Sequence, residues 1–420
     1  MAIKVYPFWG GGIDAAALAT VATTGSYSDL SGRPALGDAA AKNVGTTAGT
    51  VAAGDDARLS DARPPTAHTH PASALSDSTA AGRAILTAAD AADQRTALGA
   101  PSVLDANRWA LEKASRGTNT IFYNAGGEEI HCVRIDAYSW ADLGTAYTTG
   151  MGATGAMEAF LANGAPNTHI WVGKYPASLS ASGRVVCQPG LDQWVTISWD
   201  ESFAACAALG TVSGHTARLM SLWDWAAITH IVMASGRGQP QGNTSYGQAL
   251  AAKWQRGRRV DGVLPGVASG NARVLSGSGP RDWVHDLGDF GVWGLVGNVW
   301  EWLSGGKLVN GVWSLAPDNG AATTEASWVV QGGYTMPESA TWGALANAGA
   351  SDLLKRALIV PATGVTSPVG YCTAAVDGER LPLRGGGWSN GGYAGLAALY
   401  VGYARSSRYA SVGCRPAFVP

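Results

Sequence analysis

Tyr393, Tyr400, Tyr403 and Tyr409 fall within seventeen residues near the end of a 420-residue chain, with serine, glycine and alanine between them. That mixture suits binding. A tyrosine presents a large amphipathic surface at a low cost in rotamer freedom, and small polar neighbours adapt around it, as in an antibody paratope. A core built from this segment would use Leu, Ile or Phe more often. Tyr400, Gly402 and Tyr403 also do not keep to one face of a regular strand. The segment from Leu381 to Pro420 is therefore expected to display a surface to another macromolecule. The competing assignment is that the four tyrosines fill a core.

Other residues carry chemistry of their own. His68 and His70 alternate along the chain, so in an extended segment both imidazoles point the same way. Three such chains around one axis would gather a nitrogen-rich donor set for a transition metal; an exposed polar pair is the other reading. The acidic run from Asp282 to Asp289, with Asn298, offers the oxygen ligands that calcium takes, or ordinary loop caps. Glu301, set between Trp300 and Trp302, is expected to be a buried, hydrogen-bonded carboxylate, because a catalytic acid would need a partner that the sequence does not supply. Five cysteines, Cys132, Cys187, Cys206, Cys372 and Cys414, are odd in number and form no Cys-x-x-Cys pair, which points to buried thiols. No glycine-rich phosphate loop and no ordered Ser-His-Asp set occurs. The expectation is a binding protein with no enzymatic activity and no required cofactor.

The elements that must position these residues change character near residue 100. Before it the only aromatics are Tyr6, Phe8, Trp9 and Tyr27, and Ala, Gly, Thr, Ser and Asp dominate. One copy of such a segment cannot bury enough apolar area to offset the entropy of ordering it, so order is expected from association with further copies. Thr87–Leu98 reads as a short alanine-rich helix with Thr87 as its N-cap and a small three-helix seam as its role. After residue 100 tryptophan becomes frequent and can build a core. Trp199–Leu209 has helical spacing with Asp200 and Glu201 in the first turn. Ser221 is placed to cap an amphipathic helix. Gly294–Trp302 alternates like a half-buried strand. A net charge of −2 leaves no footprint for a nucleic acid or an anionic membrane. The first thirty residues lack a secretion leader, and no run of eighteen apolar residues occurs, so a soluble protein that is neither exported nor inserted in a membrane is expected.

Taken in order, the Trp199-Asp200 helix, the Arg218-Leu219 segment, Gly297-Asn298-Val299-Trp300-Glu301-Trp302, and the stretch from Arg384-Gly385-Gly386-Gly387-Trp388 to Gly413-Cys414-Arg415 resemble the formylglycine-generating-enzyme branch of the C-type lectin fold. The oxidases of that branch need a copper-binding cysteine pair in the terminal segment, where this chain has Cys414 alone. Residues 384–415 are more closely similar to the variable region of diversity-generating retroelement proteins. That resemblance implies a fixed framework of Trp388, Ala394 to Leu399, Ala404 to Ser406, Gly413 and Arg415. It also implies displayed positions rewritten at adenines: Gly387, Ser389, Tyr393, Tyr400, Gly402, Tyr403, Ser407, Tyr409, Ala410 and Ser411, with Asn390, Gly392 and Arg408 as less certain members. The segments Ser26–Pro34 and Asp55–Pro64 resemble repeats of phage tail fibres, in which His-x-His pairs hold iron. The expected fold class is thus α+β. Residues 1–100 form a fibrous trimeric attachment region, 101–120 a linker or collar, and 121–420 a lectin-type domain. The expected role is a homotrimeric tail-fibre receptor-binding protein at the fibre tip of a virion. Its partners would be tail or baseplate proteins and a bacterial surface receptor, protein or polysaccharide. A calcium-dependent glycan lectin and a formylglycine-generating-type oxidase are the alternatives.

Overall fold

Capping side chains set the helix boundaries in the computed structural model, which describes residues 25, 42–45, 47–51, 79–99, 102–362 and 368–420. His68, His70 and the two repeat-like segments lie outside the described residues. The chain divides into two units, one ending at Leu98 and the other running from Gly99 to Pro420.

In the first unit, Thr79 caps the helix Ala80–Thr87 and Asp90 caps Ala91–Ala97. The helix expected over Thr87–Leu98 is therefore the shorter Ala91–Ala97, capped by Asp90, and Thr87 ends the helix before it. The Thr87 hydroxyl bonds back to the Arg83 carbonyl, 2.9 Å, and finishes the first helix. The Asp90 carboxylate, accepting from the N–H groups of Ala92 and Asp93 at 2.7 and 2.9 Å, starts the second. Leu86 and Leu98 are each 62% exposed.

The second unit mixes helix and strand. It begins before the expected boundary: the segment read as a linker carries the helix Val103–Ala114 and leads into the strand Asn119–Tyr123. That strand opens a six-stranded antiparallel sheet, ordered Asn119–Tyr123, Glu129–Asp136, His169–Gly173, Pro416–Val419, His215–Leu219 and Thr211–Val212. The last strand of the chain thus lies in the middle. A second sheet of nine strands has Glu379–Gly385 and Gly395–Tyr403 at its centre, with Tyr371–Ala374 parallel to the latter. Trp300–Trp302 joins it by pairing with Glu379–Gly385 on one side and, in parallel, with Val412–Cys414 on the other.

The expected Ser221 cap is present, and Ser198 supplies a second. Ser198 and Glu201 form a reciprocal capping box ahead of Trp199–Ala207, and Ser221 and Asp224 form another ahead of Leu222–Ala234. The second helix is buried on nearly every side and is not amphipathic. Both of its tryptophans reach backbone carbonyls, Trp223 Nε1 to Ala316 at 2.9 Å and Trp225 Nε1 to Leu396 at 2.8 Å. The expected strand Gly294–Trp302 is strand only at Trp300–Trp302. Gly294, Gly297 and Asn298 have φ of 76°, 72° and 64°, so the approach is a chain of turns. Among the described residues no helix is long and apolar enough to cross a membrane.

Candidate ligand-binding cavity

The terminal segment departs from the sheet through its glycines. At Gly385 and Gly386, φ is 91° and 95°, and a Cβ on Gly386 would sit 2.5 Å from that of Ala394. Only glycine fits such a left-handed, crowded turn. The loop that follows is fixed at several points. Asn390 Oδ1 accepts from the Gly387 N–H at 2.6 Å. Trp388 N–H donates to the Asn298 carbonyl, its own carbonyl accepts from Tyr246, and Gly391 N–H donates to Thr244. Asn298 is itself a buried junction: its Oδ1 accepts from Asn243 Nδ2 and Val274 N–H at 2.9 and 2.8 Å, while its Nδ2 donates to Gln193 at 3.0 Å. The side-chain oxygen that Asn298 would offer to calcium is thus used within the protein.

The strand Gly395–Tyr403 then runs through the core, with Ala394 and Leu396 to Leu399 buried. Its register carries the feature that matters most. Tyr400 pairs with Leu383 and Tyr403 with Leu381, three steps on one strand against two on the other. The extra residue is a β-bulge, and it resets the alternation so that Tyr400 and Tyr403 share a face, ring centroids 4.6 Å apart. The sequence expectation that these two diverge is corrected by that bulge. Both rings are half-buried against the core, Tyr400 on Trp300 at 5.8 Å and Tyr403 on Trp302 at 6.5 Å. Tyr409 stacks on Tyr403 at 4.0 Å and 17°, and Tyr371 packs on Tyr393 at 4.6 Å. Desolvation, and then the neighbouring Tyr400, push the Tyr403 phenol above its ordinary range.

Trp300, Tyr371, Tyr393, Tyr400 and Tyr403 line a cavity of about 360 Å³. Six of the expected display positions meet there: Gly387, Ser389, Tyr393, Tyr400, Tyr403 and Ser411. Gly402, Ser407, Tyr409 and Ala410 do not line it. Tyr393 and Tyr409 are 59% and 44% exposed. Sequence reasoning missed Trp300, Tyr371 and Thr373, and assigned Trp388 to the framework although it is half-buried on the cavity wall. Alternation in Trp300-Glu301-Trp302 was a usable signal for Trp300. Tyr371 and Thr373 arrive through parallel pairing of Thr373 with Tyr400, which leaves no local mark. No charged side chain lines the cavity. Aromatic faces, hydroxyls and one carboxamide suit an uncharged, amphipathic ligand surface.

Charge is instead concentrated on the supports. Arg405 donates to Glu379 at 2.7 Å and Glu325 at 3.1 Å, touches Asp200 at 3.1 Å, and lies 5.1 Å over the Trp199 ring. Arg408 pairs with Glu201 at 2.8 Å, which together with Ser198 pulls that carboxyl down to about 2. Arg384 is fully buried and donates to the carbonyls of Ala397, Ala357 and Leu358. These contacts hold the ends of the display loop to the helices and to the second sheet.

No family model and no curated protein matches the chain. Among solved structures, Treponema denticola variable protein 1 aligns with a TM-score of 0.34 at 14% identity, over 71% of this chain and 98% of that one. PvdO from Pseudomonas aeruginosa aligns with a TM-score of 0.35 at 14% identity, over 72% and 98%. The Major Tropism Determinant I1 variant aligns with a TM-score of 0.28 at 12% identity, over 72% of each chain. The chain is similar to a variable protein and to tropism determinants.

All five cysteines are free and buried. Cys414 has a thiol neighbour that its sequence position does not reveal, the side chain of Cys206. That contact, followed by burial, pushes the Cys206 thiol well up. Neither sulfur lines the cavity. The acidic run is likewise engaged: Asp282 accepts from Gln255 Nε2 and Asp289 pairs with Arg281, both at 2.5 Å, and Asp286 accepts from the Gly288 N–H at 2.9 Å.

Proposed function

We propose that this chain is a receptor-binding protein whose C-terminal unit, a C-type-lectin-type domain, displays a variable ligand-binding surface centred on the aromatic cavity. The observation that carries the reading is convergence. Six positions spread from Gly387 to Ser411, which the resemblance to the variable region expects to vary, line one cavity. Their neighbours Ala394 and Leu396 to Leu399 are buried in the core. A segment whose constant residues face inward and whose Tyr, Ser and Gly residues face a cavity suits a paratope on a rigid support.

The finer reading is a phage or prophage tail-fibre protein, made as a homotrimer, carried on the virion and adsorbing to a bacterial surface receptor. The exposed Leu86 and Leu98 on short helices support self-association of the N-terminal unit. Trimers and multiple fibres would raise avidity by about 10² to 10⁴ over a single weak contact. An oxidase reading is disfavoured by the thiols themselves: reactive cysteines are exposed and acidic, whereas Cys206 and Cys414 are wholly buried and the Cys206 thiol is pushed up.

Deep sequencing of the locus in a population carrying the gene tests the variable surface. Substitutions should concentrate at the ten display codons and arise at adenines, beside a near-identical template copy; substitutions spread evenly over the domain would defeat the proposal. Labelled full-length protein incubated with a panel of bacteria tests the receptor role. Binding to a subset of strains is expected, and equal retention of binding by a Tyr393→Ala/Tyr400→Ala variant would show that the cavity is not the contact.

A further inference from the structure

Away from the aromatic cavity, two histidines meet at one end of the six-stranded sheet. His169 opens the strand His169–Gly173 and His215 opens His215–Leu219. Both strands pair with Pro416–Val419, from opposite sides, with Phe418 opposite both Trp171 and Ala217. Each histidine lies two residues before one of those partners, so both share a face of the sheet. Their Nε2 atoms are 3.3 Å apart.

The rings are oriented from behind. His215 Nδ1 lies 2.9 Å from the Ser213 carbonyl oxygen. A carbonyl only accepts, so Nδ1 carries the proton and Nε2 presents a lone pair toward His169. His169 Nδ1 lies 2.9 Å from Thr168 Oγ1, a hydroxyl that serves as donor or acceptor. When it accepts, the His169 Nε2 lone pair also points inward. Trp171 packs edge-on to His169 at 5.7 Å and 87°, and Phe122 covers His215 at 5.5 Å. A backbone carbonyl on the far nitrogen is the arrangement that fixes the tautomer of a metal-ligating imidazole. Both side chains remain partly exposed, which leaves a path for an ion.

We propose that His169 and His215 form a two-imidazole site for a zinc ion. The separation selects the geometry. With metal–nitrogen bonds of about 2.0–2.1 Å, two ligands on a tetrahedral ion lie about 3.3 Å apart, whereas adjacent ligands on an octahedral ion lie about 2.9 Å apart. The observed 3.3 Å matches the tetrahedral edge. Among the described residues no group of three or more metal-ligating side chains occurs, so the protein supplies two donors. The remaining positions are open to water or to a donor on another molecule. A bound ion would tie together the two strands that flank the last strand, as a clip across the end of the sheet.

The test uses the full chain carrying His68→Ala and His70→Ala, so that the N-terminal histidines contribute nothing. Zinc chloride titrated into this protein in a calorimeter should bind at one site per chain and raise the melting temperature. His169→Gln or His215→Gln should weaken binding at least tenfold and abolish the shift, while the zinc-free melting temperature and circular dichroism stay as before. If a Gln variant melts early, imidazole ¹⁵N spectra of the unmutated pair give the answer instead, because zinc must move both Nε2 resonances. Absence of binding, binding that survives both Gln variants, or Nε2 resonances that do not move overturns the proposal.

Discussion

Arg415 and Glu301 form a bidentate ion pair in the core, Nε to Oε2 at 2.9 Å and Nη2 to Oε1 at 2.6 Å, with both side chains essentially inaccessible to water. Two carbonyls, of Gly173 and Trp293, take further guanidinium protons at 2.8 and 3.0 Å. The pair joins the end of the display segment to the strand Trp300–Trp302, whose Trp300 forms part of the cavity wall. Removing one partner leaves the other charged, buried and uncompensated. Glu301→Ala should therefore cost about 3–5 kcal/mol, read as a lower urea midpoint with an unchanged slope.

The four tyrosines separate into two pairs with different physical duties. Tyr393 and Tyr409 are 59% and 44% exposed, so Tyr393→Ala and Tyr409→Ala should alter unfolding free energy by no more than about 0.5–1 kcal/mol. Tyr400 and Tyr403 rest on Trp300 and Trp302, and their Ala variants should lose about 1–3 kcal/mol in the same denaturation experiment. All four should weaken receptor binding. A ranking in which Tyr393→Ala is the most destabilising would contradict this division.

Local chemistry made part of this legible in the sequence. Ser221 forms the expected cap, a box with Asp224, and Ser198 with Glu201 shows the same legible pattern of an acid three residues after a hydroxyl. Glu301 between two tryptophans is buried and bonded. Its partner lies 114 residues on, and nothing local ties the two. The bulge in Gly395–Tyr403 depends on what Leu381 and Leu383 do on the neighbouring strand, so a single strand read alone misplaces Tyr400 against Tyr403. The amphipathic reading of Leu222–Ala234 failed for a similar reason, because burial on nearly every side reflects packing around the helix. Tyr371, His169 and His215 reach their places through strand pairing and carry no local signature at all.

Acid should loosen the second unit through His230. Its ring is fully buried, with Nε2 donating to the Arg356 carbonyl and Nδ1 facing the Tyr147 hydroxyl, both at 2.8 Å. Burial pulls this imidazole down to about 4, against about 6.5 in an unfolded chain. Between those values the unfolded state binds the extra proton. Stability is therefore complete above pH 6.5 and falls as pH drops toward 4, by about 3 kcal/mol for this residue. His285, half-buried and held at about 4 by desolvation, acts in the same direction. Denaturation midpoints at pH 7.5 and 4.5 should differ accordingly, and His230→Gln should shrink the difference; an unchanged difference would exclude His230 as its source.

Gly402 and Tyr400 should vary together. Gly402 lies within the bulge, and a Cβ built on it would sit 2.6 Å from the Tyr400 hydroxyl oxygen and 2.7 Å from the ring carbon that bears it. The Tyr400 ring thus lies over the space that only glycine leaves free. Gly402→Ala must push that ring aside, which disturbs its contacts with Trp300 and Tyr403 and reshapes the cavity while Val401 stays in the core. In a Tyr400→Ala background the same substitution meets no ring. A double-mutant cycle on unfolding free energy should therefore return a coupling of at least about 0.5 kcal/mol, since the two positions are in contact. Natural variants of the locus should show the same rule, with a side chain at position 402 accompanied by a small residue at 400. Frequent pairing of Tyr400 with a bulky residue at 402 would mean that the bulge is not the constraint the geometry implies.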